Sequence, residues 1–172
     1  IIAERKDSTT AQLADVYANI GALEAEQGKH KESVKHIMKA LNTYEKLGDK
    51  EGMGYMYQKI GYDLARGGSI DEGIQALRKG LACFEEIGNI KGKCYIYNSM
   101  AIAQRMAGQI DSALYFNEEA LAVFQSQNMK YETAGVLLNI GNIYRQTGRS
   151  IDAIPKYEES LSIFQSLGVK HG

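Results

Sequence analysis

Tryptophan is absent from this chain, proline occurs once and cysteine twice. Two cysteines, Cys83 and Cys94, cannot build a disulfide framework, so the chain suits a reducing compartment and reads as cytoplasmic. Both read as small apolar packing residues near helix ends. Charge of one sign is also missing: 20 basic residues face 21 acidic ones, for a net charge of −1. A general polyanion binder would show a basic stripe, so the balance argues against nucleic acid as a partner. No apolar run approaches the roughly eighteen residues that a membrane span needs. Neither a signal-peptide pattern nor an Asn-x-Ser/Thr sequon is present.

What the chain has instead is glycine, 18 residues of it, much of it at a fixed spacing of forty. Gly28, Gly68, Gly108 and Gly148 share one register position, and Tyr44, Phe84, Phe124 and Phe164 share another. So do Leu41, Leu81, Leu121 and Leu161. A period of this size means stacked supersecondary units. Within residues 54–88, Tyr57, Ile60, Gly61 and Leu64 recur at i, i+3, i+4 and i+7, the stripe of an amphipathic helix. Gly67-Gly68 stops it, Ser69-x-x-Glu72 has the form of a capping box, and Ile74, Leu77, Leu81 and Phe84 carry a second stripe. Positions 48, 88, 128 and 168 are Gly, Gly, Asn and Gly, residues that tolerate the left-handed conformation closing a helix.

These stops predict A helices over roughly 8–27, 50–67, 90–107 and 130–147, and B helices over 30–47, 70–87, 110–127 and 150–167. The connections are too short for anything but antiparallel neighbours. Small residues recur where helices must touch: Gly21, Gly61, Ala101 and Gly141 in the A helices, and two further sets in the B helices. The latter are Ser33, Gly73, Ala113 and Ala153, then Ala40, Gly80, Ala120 and Ser160. The sole proline, Pro155, falls inside the last helix B and should bend its first turn.

The order of large, glycine, small and large-x-x-aromatic residues across each helix pair resembles the tetratricopeptide repeat. One unit reads Tyr57, Ile60-Gly61, Leu64, Gly68, Gly73, Leu77, Gly80; the last reads Leu137, Ile140-Gly141, Tyr144, Gly148, Ala153, Tyr157, Ser160. The resemblance covers four units, about 8–48, 49–88, 89–128 and 129–168, and implies an all-α right-handed superhelix of eight helices forming a single array. The family's frequent tryptophan is replaced by Tyr17, Tyr57, Tyr97 and Leu137, and the usual proline after helix B is missing. A period of forty is similar to that of Pins-type scaffolds, Rap-type regulators and the sensor regions of bacterial signalling proteins. Beginning at Ile1 and ending at His171-Gly172, the chain reads as part of a longer protein, with Ile1 and Ile2 the end of a preceding helix. Cut ends of such an array would leave apolar faces open to end-to-end self-association.

Catalytic signatures are lacking. His30 and His36 are six residues apart on one helix and cannot chelate a metal together; the third histidine, His171, stands alone. Gly52-Met53-Gly54 is placed in an inter-helix turn with neither the preceding strand nor the third glycine of a dinucleotide loop. Glu85-Glu86 and Glu118-Glu119 diverge around their helices and read as solvated faces. The expectation is a non-enzyme without cofactor or metal.

In the resembled family the A helices line a concave face that holds the ligand. Carried onto this chain, that implies a peptide groove of Asn19, Tyr55, Gln58, Lys59, Tyr62, Arg66, Tyr95, Asn98, Ile102, Arg105, Asn139, Asn142 and Arg145, with Ala18 and Ser99 beside them. The four cations suit carboxylates, the asparagines a peptide backbone, and the tyrosines an apolar contact with a polar tip. The expected ligand is an acidic or amphipathic peptide or partner segment. Ala18 and Ala22 replace the Lys and Asn that the family's chaperone-binding clamp requires. The alternative function is a sensory or regulatory region of a bacterial kinase or transcription regulator, acting on its own chain or on a signal peptide.

Overall fold

A computed structural model describes residues 2–168, with side chains from residue 10 onward. Among the described residues there are eight helices and no strand: α1 (Ile2–Glu26), α2 (His30–Leu47), α3 (Lys50–Arg66), α4 (Ile70–Glu86), α5 (Ile90–Met106), α6 (Ile110–Ser126), α7 (Lys130–Gln146) and α8 (Ser150–Ser166). They form an all-α repeat superhelix of four antiparallel pairs, and the predicted boundaries hold to within a residue from α2 onward. α1 starts earlier than expected, at Ile2. Ile2 therefore belongs to the same helix as the first repeat and not to a preceding one; Ile1 and His171 lie outside the described residues.

The helix stops are backbone facts. Gly28, Gly48, Gly68, Gly88, Gly108, Gly148 and Gly168 all have positive φ, and Asn128 joins them at 54°. At Gly48 the left-handed turn lets the chain fold back, with the Asp49 amide donating to the Tyr44 carbonyl at 3.0 Å. The capping box at Ser69 does not form: its side chain makes no cap hydrogen bond. The side-chain caps sit instead on Asp49, which accepts from the Gly52 amide at 2.9 Å, and Asn89, which accepts from Gly92 at 2.8 Å. Each satisfies one of the orphan donors of a first helical turn. Pro155 lies inside α8, and the helix runs through it from Ser150 to Ser166.

The small residues set how close the helices come. A Cβ added to Gly73 would lie 2.6 Å from the Gly61 carbonyl oxygen and 3.0 Å from the Ala65 amide nitrogen. One added to Gly61 would meet Leu77 and the Gly73 carbonyl, so α3 and α4 touch backbone to backbone. Gly21 meets Ile37, and Gly141 meets the ring of Tyr157, in the same register. Gly52 and Gly54 are in helix α3, not in a turn; they make room for the rings of Tyr44 and Phe84. Three buried clusters follow, one for each junction between pairs. At the two ends, where no further pair packs, Leu13, Val16, Ile20 and Leu23 of α1 and Ile151, Ile154 and Leu161 of α8 are exposed. No helix among the described residues is long and apolar enough to cross a membrane.

Two glycine substitutions separate packing from propensity. Gly73→Ala should lower the free energy of unfolding by about 1–3 kcal/mol, since the backbone it meets cannot rotate away. Gly135→Ala, in the middle of α7 with nothing within 4 Å of its new methyl, should raise it by up to about 1 kcal/mol. Urea denaturation followed by circular dichroism measures both.

Candidate binding groove

Successive A helices lie close enough to exchange hydrogen bonds. Gln58 of α3 donates to the Ser99 hydroxyl of α5 at 2.7 Å, and the Asn89 amide donates to Glu51 at 2.9 Å. Between α5 and α7, Asn139 donates to Asn98 Oδ1 at 2.9 Å, Arg105 to Gln146 at 3.2 Å and the Tyr95 hydroxyl to Glu132 at 3.1 Å. Three of these bonds join positions 41 apart, one residue more than the repeat, because each helix pair is slightly rotated on the last. The B helices instead stand apart, with an open cleft between α2 and α4. The array therefore curves with its A helices on the inner, concave side.

The expected groove residues divide by what they already touch. Asn19 has an exposed side chain with no hydrogen-bond partner among the described residues. Asn98 and Asn139 bond each other, and Asn142 accepts from the Tyr157 hydroxyl at 3.0 Å. That leaves Asn98 one free N–H pair and Asn139 a free carbonyl. Ala18 and Ser99 are buried between helices and do not line the groove. The Tyr55 ring packs edge-on against Phe84 at 5.0 Å and Tyr95 tilts over Phe124 at 6.0 Å, so both cover the core from the concave side. Arg66 lies 6.0 Å from the centre of the Tyr62 ring, and Ile102 is half-buried. Lys59, Arg66, Arg105 and Arg145 form no ion pair among the described residues; the cations that do are Lys50 with Glu86 (2.9 Å), Lys93 with Glu85 (3.5 Å) and Arg149 with Asp152 (2.7 Å).

Two hollows open on this side. One, of about 210 Å³, is lined by Ala22, Ala25, Ile37, Gln58, Lys59, Tyr62 and Asp63. The other, of about 390 Å³, lies over α5 and α7 and is bounded by Tyr95, Asn98, Tyr131, Leu138, Asn139 and Phe164. Tyr131 and Phe164 escaped the sequence reading of the groove. The signal was a register one: Tyr131 is aromatic where Glu51 and Lys91 are charged. Its ring meets Phe164 edge-on at 5.6 Å.

A buried polar trio also went unforeseen. Asp63, 3% exposed, accepts from the Ser33 hydroxyl at 2.5 Å and faces His30 Nδ1 at 3.2 Å. Although it holds Ser, His and Asp, the order is wrong for nucleophilic catalysis. The serine gives its proton to the carboxylate, and no imidazole sits on the serine oxygen as base. Burial pushes the Cys94 thiol up to about 11 and raises that of Cys83, so neither supplies a thiolate at neutral pH. His36 is bonded to Glu24 at 2.7 Å. Among the described residues no group of three His, Cys, Asp or Glu side chains could hold a metal ion.

Antiparallel helix pairs, of 17 residues a helix from α3 onward, stacked in register with small residues at the contacts, define a helical-repeat solenoid. Residues 13–47 and 134–166 each match a family model described as tetratricopeptide repeat, so the first and the last of the four helix pairs carry recognisable repeats of that kind. No curated protein matches the chain by sequence. Among solved structures it resembles BtubC from P. vanneervenii, with a TM-score of 0.75 and 16% identity over 93% of this chain and 66% of that one. The Rap conjugation gene regulator of plasmid pLS20, solved in complex with the Phr* peptide, matches with a TM-score of 0.82 and 18% identity. That match covers 92% of this chain and 44% of the regulator. Aspartyl phosphate phosphatase F from Bacillus subtilis also gives 0.82, at 12% identity, over 92% of this chain and 42% of that one. The chain thus spans from about two fifths to just under two thirds of these proteins, and at such identities the likeness is one of fold.

The Tyr95–Glu132 bond offers a pH test. Burial first, and then the hydrogen bond to Glu132, push the Tyr95 phenol from its ordinary 10.0 up to about 12. A folded-state value above the unfolded one means stability that is complete below pH 10 and is lost as pH rises through 12. Tyr95→Phe should make the fall in urea midpoint between pH 10 and 12 shallower than in the unaltered chain. Equal slopes would show that this phenol does not contribute.

Proposed function

We propose that this chain is a non-enzymatic interaction module that binds an acidic or amphipathic peptide, or a partner segment of that kind, in its concave face. The observation that carries the reading is the row of four cations, Lys59, Arg66, Arg105 and Arg145, on α3, α5 and α7 without an ion-pair partner among the described residues. Arginine grips a carboxylate with two parallel hydrogen bonds and so favours acidic side chains over other anchors. The free amide groups of Asn98 and Asn139 suit a peptide backbone, which offers both a donor and an acceptor. Tyr62 and the hollow around Tyr131 and Leu138 would take the apolar side chains of an amphipathic segment. The peptide-bound Rap regulator is a fold-level precedent for a peptide as the ligand. The tetratricopeptide repeats at 13–47 and 134–166, a fold that generally serves as an interaction scaffold, support the reading as a non-enzyme.

The test is charge reversal. Arg105→Glu combined with Arg145→Glu should abolish capture of the partner that the unaltered chain recovers by pull-down. Helicity and melting temperature should stay nearly unchanged, because both side chains are on the surface; Arg105 gives up only its bond to Gln146. Undiminished capture by the folded double variant would refute the reading.

A further inference from the structure

A second cleft opens on the opposite side from the groove. It measures about 780 Å³ and lies between the outer helices α2 and α4, with α3 as its floor. Its apolar surface comes from Met38, Leu41, Tyr57, Ile60 and Ala76, and Met38 stands 56% exposed.

The repeat itself shows what is missing there. One register on, Phe116 occupies the position of Ala76, and its ring packs against Tyr97, the equivalent of Tyr57, at 5.9 Å. Phe116 closes over the cluster containing Ile96 and Met100, just as Ala76 belongs to the cluster containing Met56 and Ile60. The first junction has the same floor and lacks the ring that covers it. In the same comparison Arg78 replaces Met38, so the first junction exposes an apolar side chain where the next one has a charge.

The charges around the cleft narrow the occupant further. Lys79 flanks the floor, lying 5.8 Å over the Tyr57 ring, and has no carboxylate partner among the described residues; Lys39 turns its ammonium over Tyr17, outside the cleft. Of the two carboxylates in the lining, Glu45 is engaged by the Tyr57 hydroxyl at 3.4 Å, and Glu72 lies seven residues, about two helical turns, before Lys79 on α4. We propose that this convex cleft is a second docking site, for a partner segment that places an aromatic side chain over Tyr57 and Ile60 with an acidic residue beside it. The ring would take the place that Phe116 fills from within at the next junction, and the carboxylate would meet Lys79. The site is independent of the concave groove and goes beyond the function proposed for it.

The experiment titrates the uniformly labelled chain with the dipeptide N-acetyl-Phe-Glu-amide and follows methyl resonances by NMR, with N-acetyl-Ala-Glu-amide as control. The expected result is saturable shifts of the Met38 and Ile60 methyls with the phenylalanine peptide alone. Ala76→Phe, which supplies the ring internally, should weaken binding at least tenfold. Met38→Arg, an exposed change that copies the next repeat, should weaken it severalfold and decides the matter if the Ala76 variant does not fold. Arg105→Glu with Arg145→Glu should leave it unchanged, which separates this site from the groove. Absence of saturation, shifts confined to the Ile102 and Leu138 methyls on the concave side, or full affinity in folded Ala76→Phe would each overturn the proposal.

Discussion

The close approach of paired helices, with no room for a side chain between them, is the constraint on which the rest of this structure depends. At the contact of α3 with α4, the Gly61 and Gly73 carbonyl oxygens come within 2.7 Å of where each other's β-carbon would be. Helices that close must be nearly the same length and joined by short turns, which the positive-φ residues at both ends of each pair provide. A fixed pair geometry repeated at a constant spacing gives a constant rotation, and a constant rotation gives a curved array. The inner and outer faces are thus consequences of the glycines and alanines at the contacts more than of anything on the faces themselves.

With the backbone register so determined, the repeats are free to differ at their surfaces. Position 76 can be alanine and position 116 phenylalanine without moving a helix, and the result is an open cleft at one junction and a closed one at the next. Inner positions vary in the same way: Ala25 and Ala65 become Arg105 and Arg145. A solenoid therefore separates what holds it together from what it presents, and departures from the repeat mark candidate sites more clearly than the repeat does.

How much was legible follows from the range of each interaction. Helix limits, stops and contact positions depend on residues within a few places of one another, so Gly48, Asn128 and the small residue at 73 could be read directly. The same local reading erred where two signals competed. Ser69 has the form of a cap but makes no cap bond, and Gly52-Met53-Gly54 resembled a turn but serves the packing of Tyr44 and Phe84. The groove was legible as a set of helix faces. That Asn98 and Asn139 would bond each other was not, because the partner lies 41 residues away and the extra residue comes from the rotation between pairs. Nor was the meeting of Ser33 with Asp63, which the fold alone brings together.

That meeting makes the first junction unlike the others. Where His30, Ser33 and Asp63 stand, the next junction has Ile70, Gly73 and Ala103, and the one after it Ile110, Ala113 and Ile143. An apolar contact gains by burial and is indifferent to direction, whereas a buried carboxylate is tolerable only while its hydrogen bonds are made. Asp63 has two of them, both from α2, so α2 can sit against α3 in essentially one orientation. The stability of a repeat array is approximately a sum over neighbouring units. A polar junction contributes less burial to that sum than an Ile–Ala one but defines the angle between its pairs more sharply. Both hollows of the first two repeats, the concave one lined by Asp63 itself and the convex one between α2 and α4, depend on that angle. The trio is thus best understood as what keeps the two faces of the first junction in fixed relation to each other.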